Sequence, residues 1–412
     1  MNNSARKKRK YLFVSFSKTE WNSPWYVRQK LMNQLSKEHK VLYVNQRKEL
    51  RKILSDLKMR KRFRFGVRKV GINLCLVESP WIFPKIYKIK QLDTISRYLY
   101  YFFIKFLIHL YGRNCTIILY IWEPHFFFVP QQYLNFPYIY HPYDCFEKYT
   151  YSISQEQVES SFLKNKKVDC LRNKEYSLVK DASLFYSVSE TLCDYYFNTF
   201  GRRPKLLPNA VHDIYFDKSN TKWIPTINRI LAKFPRKKIA FSGRLVSALD
   251  LDIVIKAAGF LLDYDFLFIG PLQFTNIEEQ DQKLENLLLL KNVFQIGPFN
   301  VELLPQLLRM MDIFIIIYSK DKSKWTHYSG PAKLFEYMAI GKPIISTPHP
   351  AINNYCKYIW IVEGAEQFVQ AVRDIETGEY HSVLEEMVEV AKKNTWENRV
   401  SIILNDILNL NP

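Results

Sequence analysis

Cysteine is sparse and scattered in this chain. The six residues Cys75, Cys115, Cys145, Cys170, Cys193 and Cys356 form no C-x-x-C pair, which argues against a disulfide-framed scaffold and points to a reducing compartment. No apolar run reaches the ~20 residues that a membrane span needs. The most membrane-like stretch, RYLYYFFIKFLIHLYG (97–112), is interrupted by Lys105 and His109. It reads either as an interfacial helix or as a buried helix of an aromatic-rich core. In KKRKYLFVSFSKTEW the apolar run after the basic start is too short for the core of a signal peptide and reads as a strand. Low-complexity tracts, internal repeats, a G-x-G-x-x-G turn, a P-loop and zinc-ligand spacings are also missing.

Acidic residues are the minority charge, 40 against 59 Lys and Arg, for a net charge of +19. Such a surplus fits an anionic partner: nucleic acid, an anionic membrane face or a phosphorylated substrate. Eleven of the cations and only two acids lie in RKELRKILSDLKMRKRFRFGVRK (47–69). A charge run alone reads as a solvated face. Here Leu57, Met59, Phe63 and Phe65 are interleaved with the cations, as in surfaces that lie on anionic lipid, and Arg60, Lys61, Arg62 and Arg64 form the candidate membrane or acceptor patch. Nucleic acid is not expected as a partner, because neither an aromatic RNA-binding signature nor a zinc-finger spacing accompanies the charge.

What the chain has in plenty is apolar strands alternating with helices. At 412 residues it exceeds the ~250–300 at which single cores stop growing, so two domains are expected. In the C-terminal half, strands are expected at 238–243, 266–270, 292–297, 313–318, 343–347 and 359–362. Helices are expected at 250–263, 278–290, 301–311, 331–340 and 365–376. Near-continuous apolar strands of this kind belong to a parallel sheet covered on both faces. The N-terminal half repeats the pattern with strands at 11–16, 40–45, 74–79, 116–122, 138–144, 184–189 and 205–209, and helices at 26–37, 92–111, 173–181 and 189–199. The fold class is thus α/β, two doubly wound domains in tandem: an N-terminal domain over 1–210, a polar linker over 211–229 with no strong period, a second domain over 230–395, and a last helix over 396–412.

Three strands of the second domain end in Gly243, Gly270 and Gly297, where backbone can approach a ligand closely; a tight turn alone would also explain each one. The stretch SGPAKLFEYMAIGKPIIST (329–347) carries the clearest chemistry. Pro331 suits a first helical position with Ser329 or Gly330 as cap, and free amides at such a helix start suit phosphate oxygens. Lys333 and Glu336, three apart, share a face near the helix start. An ordinary surface ion pair is one reading. The other is a ligand site, because the helix start falls at the carboxyl ends of the strands, where a carboxylate can accept two hydrogen bonds from a vicinal diol.

This stretch resembles the donor-site signature of the GT-B fold glycosyltransferases, in particular the retaining family 4 and its teichuronic-acid-type relatives. IAFSGRLVSALDLDIVIKAA resembles their Gly-Arg phosphate loop, NVFQIGPFNVELLPQLLRMMDIFIIIY their base-binding unit, and NTWENRV their closing helix, which in this fold crosses back to the N-terminal domain. The resemblance implies Rossmann-like domains facing a central cleft. It also implies that Glu336 binds the donor's ribose, that Gly243, Arg244 and the amides around Ser329, Gly330, Lys333 and Leu334 hold the diphosphate, and that Gly297 and Pro298 flank the base. Two departures stand out. The family's second glutamate is replaced by Tyr328, and the lysine five residues after the arginine by Leu249. Lys333 is expected to supply the lost cation.

For the acceptor side, strand ends of the N-terminal domain offer Glu20, Glu123, His125, His141 and Asp144, with Asp144 and His141 expected to be catalytic. DLD (250–252) and DYD (263–265) mimic a metal motif, but helix capping and turn chemistry account for them, so no metal and no cofactor are expected. The resemblance implies a UDP- or GDP-linked nucleotide sugar as donor substrate and a glycan or lipid-linked acceptor. Location is expected to be cytoplasmic, peripheral on the inner membrane face. An epimerase of the same fold and a non-catalytic membrane or partner module are the alternatives.

Overall fold

A computed structural model describes residues 10–21, 26–59, 66–78, 82–86, 89–150, 161–245, 249–274, 278–321, 325–378 and 381–410. The patch cations Arg60, Lys61, Arg62 and Arg64 lie outside the described residues.

The chain forms two sheets. The first is built from β1 (Tyr11–Ser17), β2 (Lys40–Asn45), β3 (Gly66–Lys69), β4 (Leu74–Glu78), β5 (Thr116–Ile121), β6 (Tyr138–Tyr140), β7 (Leu184–Ser187) and β8 (Lys205–Leu206), in the order β3-β4-β2-β1-β5-β6-β7-β8. Only β3, an edge strand, runs antiparallel. The second contains β9 (Lys237–Ser242), β10 (Tyr264–Ile269), β11 (Val293–Ile296), β12 (Ile313–Ile316), β13 (Ile344–Ser346) and β14 (Trp360–Ile361), ordered β11-β10-β9-β12-β13-β14 and all parallel. In both, the first strand lies inside the sheet and the order reverses beside it. That reversal is the switch point at which doubly wound sheets bind ligands. The central strands are buried on both faces, β1, β10 and β12 completely, which explains why they read as unbroken apolar runs.

The helix Trp396–Leu410 leaves the second sheet and packs on the first domain. Trp396, Ile403 and Ile407 share a core with Leu31, Leu35 and Tyr186. Asp406 accepts hydrogen bonds from Tyr186 (2.8 Å) and Lys205 (2.8 Å).

Several elements differ from expectation, among them the strand β3 and a helix that starts at Ser161, ahead of the expected 173. The stretch 211–229 is not a featureless linker. Val211 and Tyr215 are buried in the second core, and the helix Ile224–Leu231 lies under it with Ile227 and Leu231 inward. A helix at Leu50–Lys58 buries only Ile53, and a helix at His381–Lys392 buries Met387 and Ala391. The helix Lys90–Tyr111 buries one face and exposes an aromatic one. Tyr100, Tyr101, Ile104, Leu107 and Ile108 are buried, whereas Phe102 (72% exposed), Tyr98 and Phe106 face outward. No helix among the described residues is long and apolar enough to cross a membrane.

Candidate active site

The second domain presents its strand ends as backbone. Gly243, Gly270 and Gly297 follow β9, β10 and β11, all at positive φ (137°, 150° and 86°), conformations that side-chain-bearing residues rarely adopt. A Cβ on Gly270 would collide with the Gly243 carbonyl. Gln295 ties the row by donating to the Gly270 carbonyl (2.5 Å). Gly297 and Pro298 are exposed beyond it.

The helix after β12 starts at Lys333, two residues later than expected, with Ala332 at its cap and Pro331 outside. Ser329 does not cap it, because its Oγ donates to the Thr326 carbonyl (2.8 Å). The Leu334 amide donates to the Pro331 carbonyl (3.1 Å) and the Ser329 amide to that of Thr326 (3.1 Å). Among the described residues this leaves the amides of Gly330, Ala332 and Lys333 without a backbone acceptor, and takes Ser329 and Leu334 out of the set that the resemblance implied. His349 fixes the preceding loop: Nε2 donates to the Thr326 carbonyl (2.9 Å) and Nδ1 accepts from the Ala351 amide (3.2 Å). Burial pushes its pKa down to about 4, so the ring is neutral at pH 7.

That loop is also pinned to the other domain. Ser189 Oγ donates to the Tyr328 carbonyl (2.5 Å), Thr191 Oγ1 to that of His327 (3.1 Å), and Asn209 Nδ2 to that of Gly330 (2.5 Å). Tyr328, standing where the family has an acid, packs edge-on against Tyr195 at 5.7 Å.

Lys333 and Glu336 do not pair. The Lys333 ammonium lies 4.0 Å over the Phe241 ring and donates to Tyr318 Oη (3.2 Å). It sits 3.4 Å from where a Cβ on Gly243 would be, so it reaches the Gly-Arg loop. Leu249, by contrast, is 6% exposed in the core. Glu336, also 6% exposed, accepts from Lys30 Nζ of the first domain (2.5 Å) and from the Tyr215 hydroxyl.

Facing these groups, the first domain offers side chains. The helix Val27–Leu35 follows β1 and brings Tyr26, Arg28 and Lys30 to the carboxyl end of the sheet. Arg244 donates to Tyr26 Oη (2.5 Å) and lies over its ring (5.9 Å). Arg28 is buried, stacked on Tyr143 at 4.0 Å and 3.9 Å from Glu123. Glu123, 2% exposed, accepts from the Lys18 amide (3.2 Å) and the Tyr143 hydroxyl (2.9 Å). It is the hub of this cluster and is sealed from the cleft. Asp144 is half-buried, with no hydrogen bond to it among the described residues. Burial lifts its pKa to about 7 against the pull of Arg28 and Arg244.

His141 does not reach the cleft. It is 1% exposed, stacked on Trp122 at 5.1 Å, with Nδ1 bonded to Tyr120 Oη (2.8 Å). Burial drives its pKa down to about 3, so it is a neutral core residue, a correction to its expected catalytic place. His125 is exposed and bonded to Lys18 Nζ (2.8 Å). Glu20 is exposed too, its carbonyl accepting from Gln29 (3.2 Å). Three of the four acids of the two metal-like motifs are held in ion pairs: Asp252 with Lys283 (2.8 Å), Asp263 with Arg373 (3.0 Å) and Asp265 with Arg236 (3.2 Å).

Sequence reasoning missed Tyr26, Arg28, Lys30 and Tyr215. A signal existed for three of them: the first helix opens Y-V-R-Q-K immediately after β1, polar residues at a helix start on the ligand edge. Tyr215 gave none.

Two doubly wound domains facing one cleft, with a C-terminal helix returning to the first, define the GT-B fold. Comparison with known proteins agrees. Residues 236–377 match the family model described as glycosyl transferases group 1. A Bacillus subtilis (strain 168) protein named for a glycosyltransferase role in teichuronic acid biosynthesis is 32% identical over 128 residues, 31% of this chain and 31% of that protein. The chain thus matches about a third of that relative's length. Sucrose-phosphate synthase from Thermosynechococcus elongatus superposes with a TM-score of 0.70 at 12% identity, covering 98% of this chain and 99% of the other. Anabaena HepE, solved with UDP and glucose, gives 0.64 at 14% identity, covering 96% and 99%. The likeness to GT-B glycosyltransferases therefore extends over nearly the whole chain in fold, and over the second domain's centre in sequence.

Proposed function

We propose that the protein transfers a sugar, of the hexosyl type, from a UDP- or GDP-linked donor to a hydroxyl of a cell-surface polysaccharide or lipid-linked acceptor, with retention and without a metal. The observation that carries this reading is the convergence of Arg244, Lys333, Glu336 and Asp144 from two sheets on one cleft. Glu336 accepts the ribose hydroxyls, exchanging the Lys30 ammonium for them. Arg244, Lys333 and the free amides at the helix start take the diphosphate, with the base beyond Gly297 and Pro298. These donors stabilise charge where it develops, as the bond from the anomeric carbon to the diphosphate breaks and its electron pair stays on phosphate. The acceptor oxygen bonds that carbon from the same face and gives its proton to the departing oxygen. Asp144, ionised, orients the acceptor hydroxyl.

The reading places the protein in the cytoplasm, on the inner membrane face. The outward Tyr98, Phe102 and Phe106 of the helix Lys90–Tyr111 and the Leu54 and Leu57 of Leu50–Lys58, exposed among lysines and arginines, support this. The test is a panel of sugar nucleotides scored by thermal shift and by slow donor hydrolysis. Stabilisation by UDP or GDP and hydrolysis of one donor are expected. Release of free nucleotide with an isomerised sugar would replace transfer by epimerisation, and no stabilisation by any nucleotide would leave a binding module.

A further inference from the structure

A cavity of about 360 Å³ opens at the carboxyl ends of β1 and β2, between Phe16, Asn45 and the helix Lys90–Tyr111. That volume lies at the small end of ligand pockets, roughly 300–1,000 Å³. Its walls are aromatic, from Phe16, Tyr100, Tyr101 and Phe126 to Phe128. Its charge is one-sided: Arg47, Lys85, Arg97 and Lys174 line it against the single carboxylate of Asp93. That carboxylate is already committed to Arg47 (2.8 Å) and to the Ile86 amide (2.9 Å). Arg97 lies 5.2 Å over the Phe128 ring and its buried Nε has no hydrogen-bond partner. Lys174 has the Phe127 ring at 5.8 Å. At the rim Lys18 donates to His125. Partial burial lowers the pKa of Lys18, with Glu123 pulling the other way and Lys85 and Lys174 adding to the fall. Cations gathered closely enough to depress one another are stabilised by an incoming anion.

One buried carboxylate lies between the pocket's rim and the proposed reaction centre. Glu123 accepts from the Lys18 amide on the pocket side and from Tyr143, next to Asp144, on the other.

We infer that this pocket is the acceptor's anion subsite, holding a phosphate or diphosphate group through Arg97, Lys174 and Lys85 while its aromatic wall covers the attached body. The inference rests on the glycosyl-transfer reading, whose acceptor it makes a phosphorylated one. The group comes either from a lipid-linked acceptor, whose chain continues over the outward face of the helix Lys90–Tyr111, or from a soluble sugar phosphate.

The test uses full-length protein and calorimetric titration with farnesyl diphosphate, inorganic pyrophosphate and glucose 6-phosphate, with farnesol as the uncharged control and UDP for the donor site. The two phosphorylated classes are expected to compete for one site that farnesol does not fill. Arg97→Gln and Lys174→Gln should each weaken that binding roughly ten-fold, the value of one charge-assisted hydrogen bond, and leave UDP affinity and the unfolding temperature unchanged. Tighter binding of farnesyl diphosphate than of pyrophosphate assigns the lipid source; tighter binding of glucose 6-phosphate assigns the sugar phosphate. Binding of UDP with no binding of any phosphate probe, or phosphate binding that both variants keep, overturns the inference. Phosphate binding lost in the variants with no UDP binding to the wild type upholds the anion pocket and removes the glycosyl-transfer reading instead.

Discussion

The two walls of the cleft are built differently. The second domain meets its ligand edge with main chain: three glycines in a row at β9, β10 and β11, and a helix start with unclaimed amides. The first domain meets the same space with side chains: Tyr26, Lys30 and Asp144, backed by Arg28 and Glu123 packed against the Tyr143 side chain. A backbone site needs residue types at fixed spacing, because only glycine tolerates those conformations, so it leaves a motif. A side-chain site can be assembled from any strand end that reaches it, so it leaves none. The contrast explains why one wall is shared in sequence with known glycosyl transferases while the other is shared only in fold.

Four substitutions probe that contrast. The largest effect is expected at the joint between the walls. Lys30→Ala strands the buried Glu336 carboxylate and should lower stability by about 3 kcal/mol, the cost typical of removing one partner from a buried ion pair. Saturating UDP should narrow the gap to wild type, because ribose hydroxyls replace the ammonium. Urea unfolding with and without UDP checks both, and a gap that UDP leaves unchanged would separate Glu336 from the ribose.

Next comes Asp144→Asn. Its raised carboxyl pKa means that the ionised form is lost as pH falls through about 7. Wild-type turnover should therefore rise with pH across that value, whereas the variant should be roughly 100-fold slower and lack that limb. UDP affinity should be unaltered.

Glu175 is a control inside the first wall, away from the proposed chemistry. It is 1% exposed, accepts from Tyr140 (2.6 Å) and Tyr196 (2.5 Å), and burial lifts its pKa to about 7. Glu175→Ala should cost about 2 kcal/mol by leaving two hydroxyls unpaired. The native pKa lies above the unfolded one, so the contribution is complete below about 4.5 and fades as pH rises through about 7. Glu175→Gln should flatten that loss in a stability-against-pH series.

The smallest effect is expected at Lys333→Ala: about ten-fold weaker UDP binding, one charge-assisted contact, with unchanged folding. No change in affinity would return the phosphate loop to Arg244 and the amides alone.

The parallel, buried strands were legible because apolar runs mark them directly, whereas the antiparallel edge strand β3, half-exposed inside the charge run, was not. Helices at 50–58 and 381–392 were not, since each buries few of its residues and the first is dominated by its charge. The stretch 211–229 read as linker because its buried residues, Val211, Tyr215 and Ile227, are too widely spaced to show a period. In the candidate site, Gly243, Gly297 and Glu336 were singled out because their motifs resemble a known donor site. The partner of Glu336 was not, because Lys30 lies 306 residues away. His141 looked like Asp144 in sequence, three residues apart after one strand. Only packing distinguishes them, one ring stacked beneath Trp122 and one carboxyl left facing two guanidiniums.

The pins on the 326–330 loop bear on how the cleft can open. Links near the domain boundary gather at 208–211, 327–330 and 394–399: Val211 pairs with Thr395, Arg399 Nε donates to the Pro208 carbonyl (2.8 Å), and Asn209 Nδ2 donates to the Gly330 carbonyl (2.5 Å). Among the described residues, the helix Val27–Leu35 and its N-cap reach the other wall through hydrogen bonds of Tyr26 and Lys30. Such a joint swings like a door hung on one jamb, with Asn209 and Gly330 near the axis and Arg244 on the free edge. A small rotation would then part Arg244 from Tyr26 and Lys30 from Glu336 while barely moving the amides at the start of the helix Lys333–Ile340.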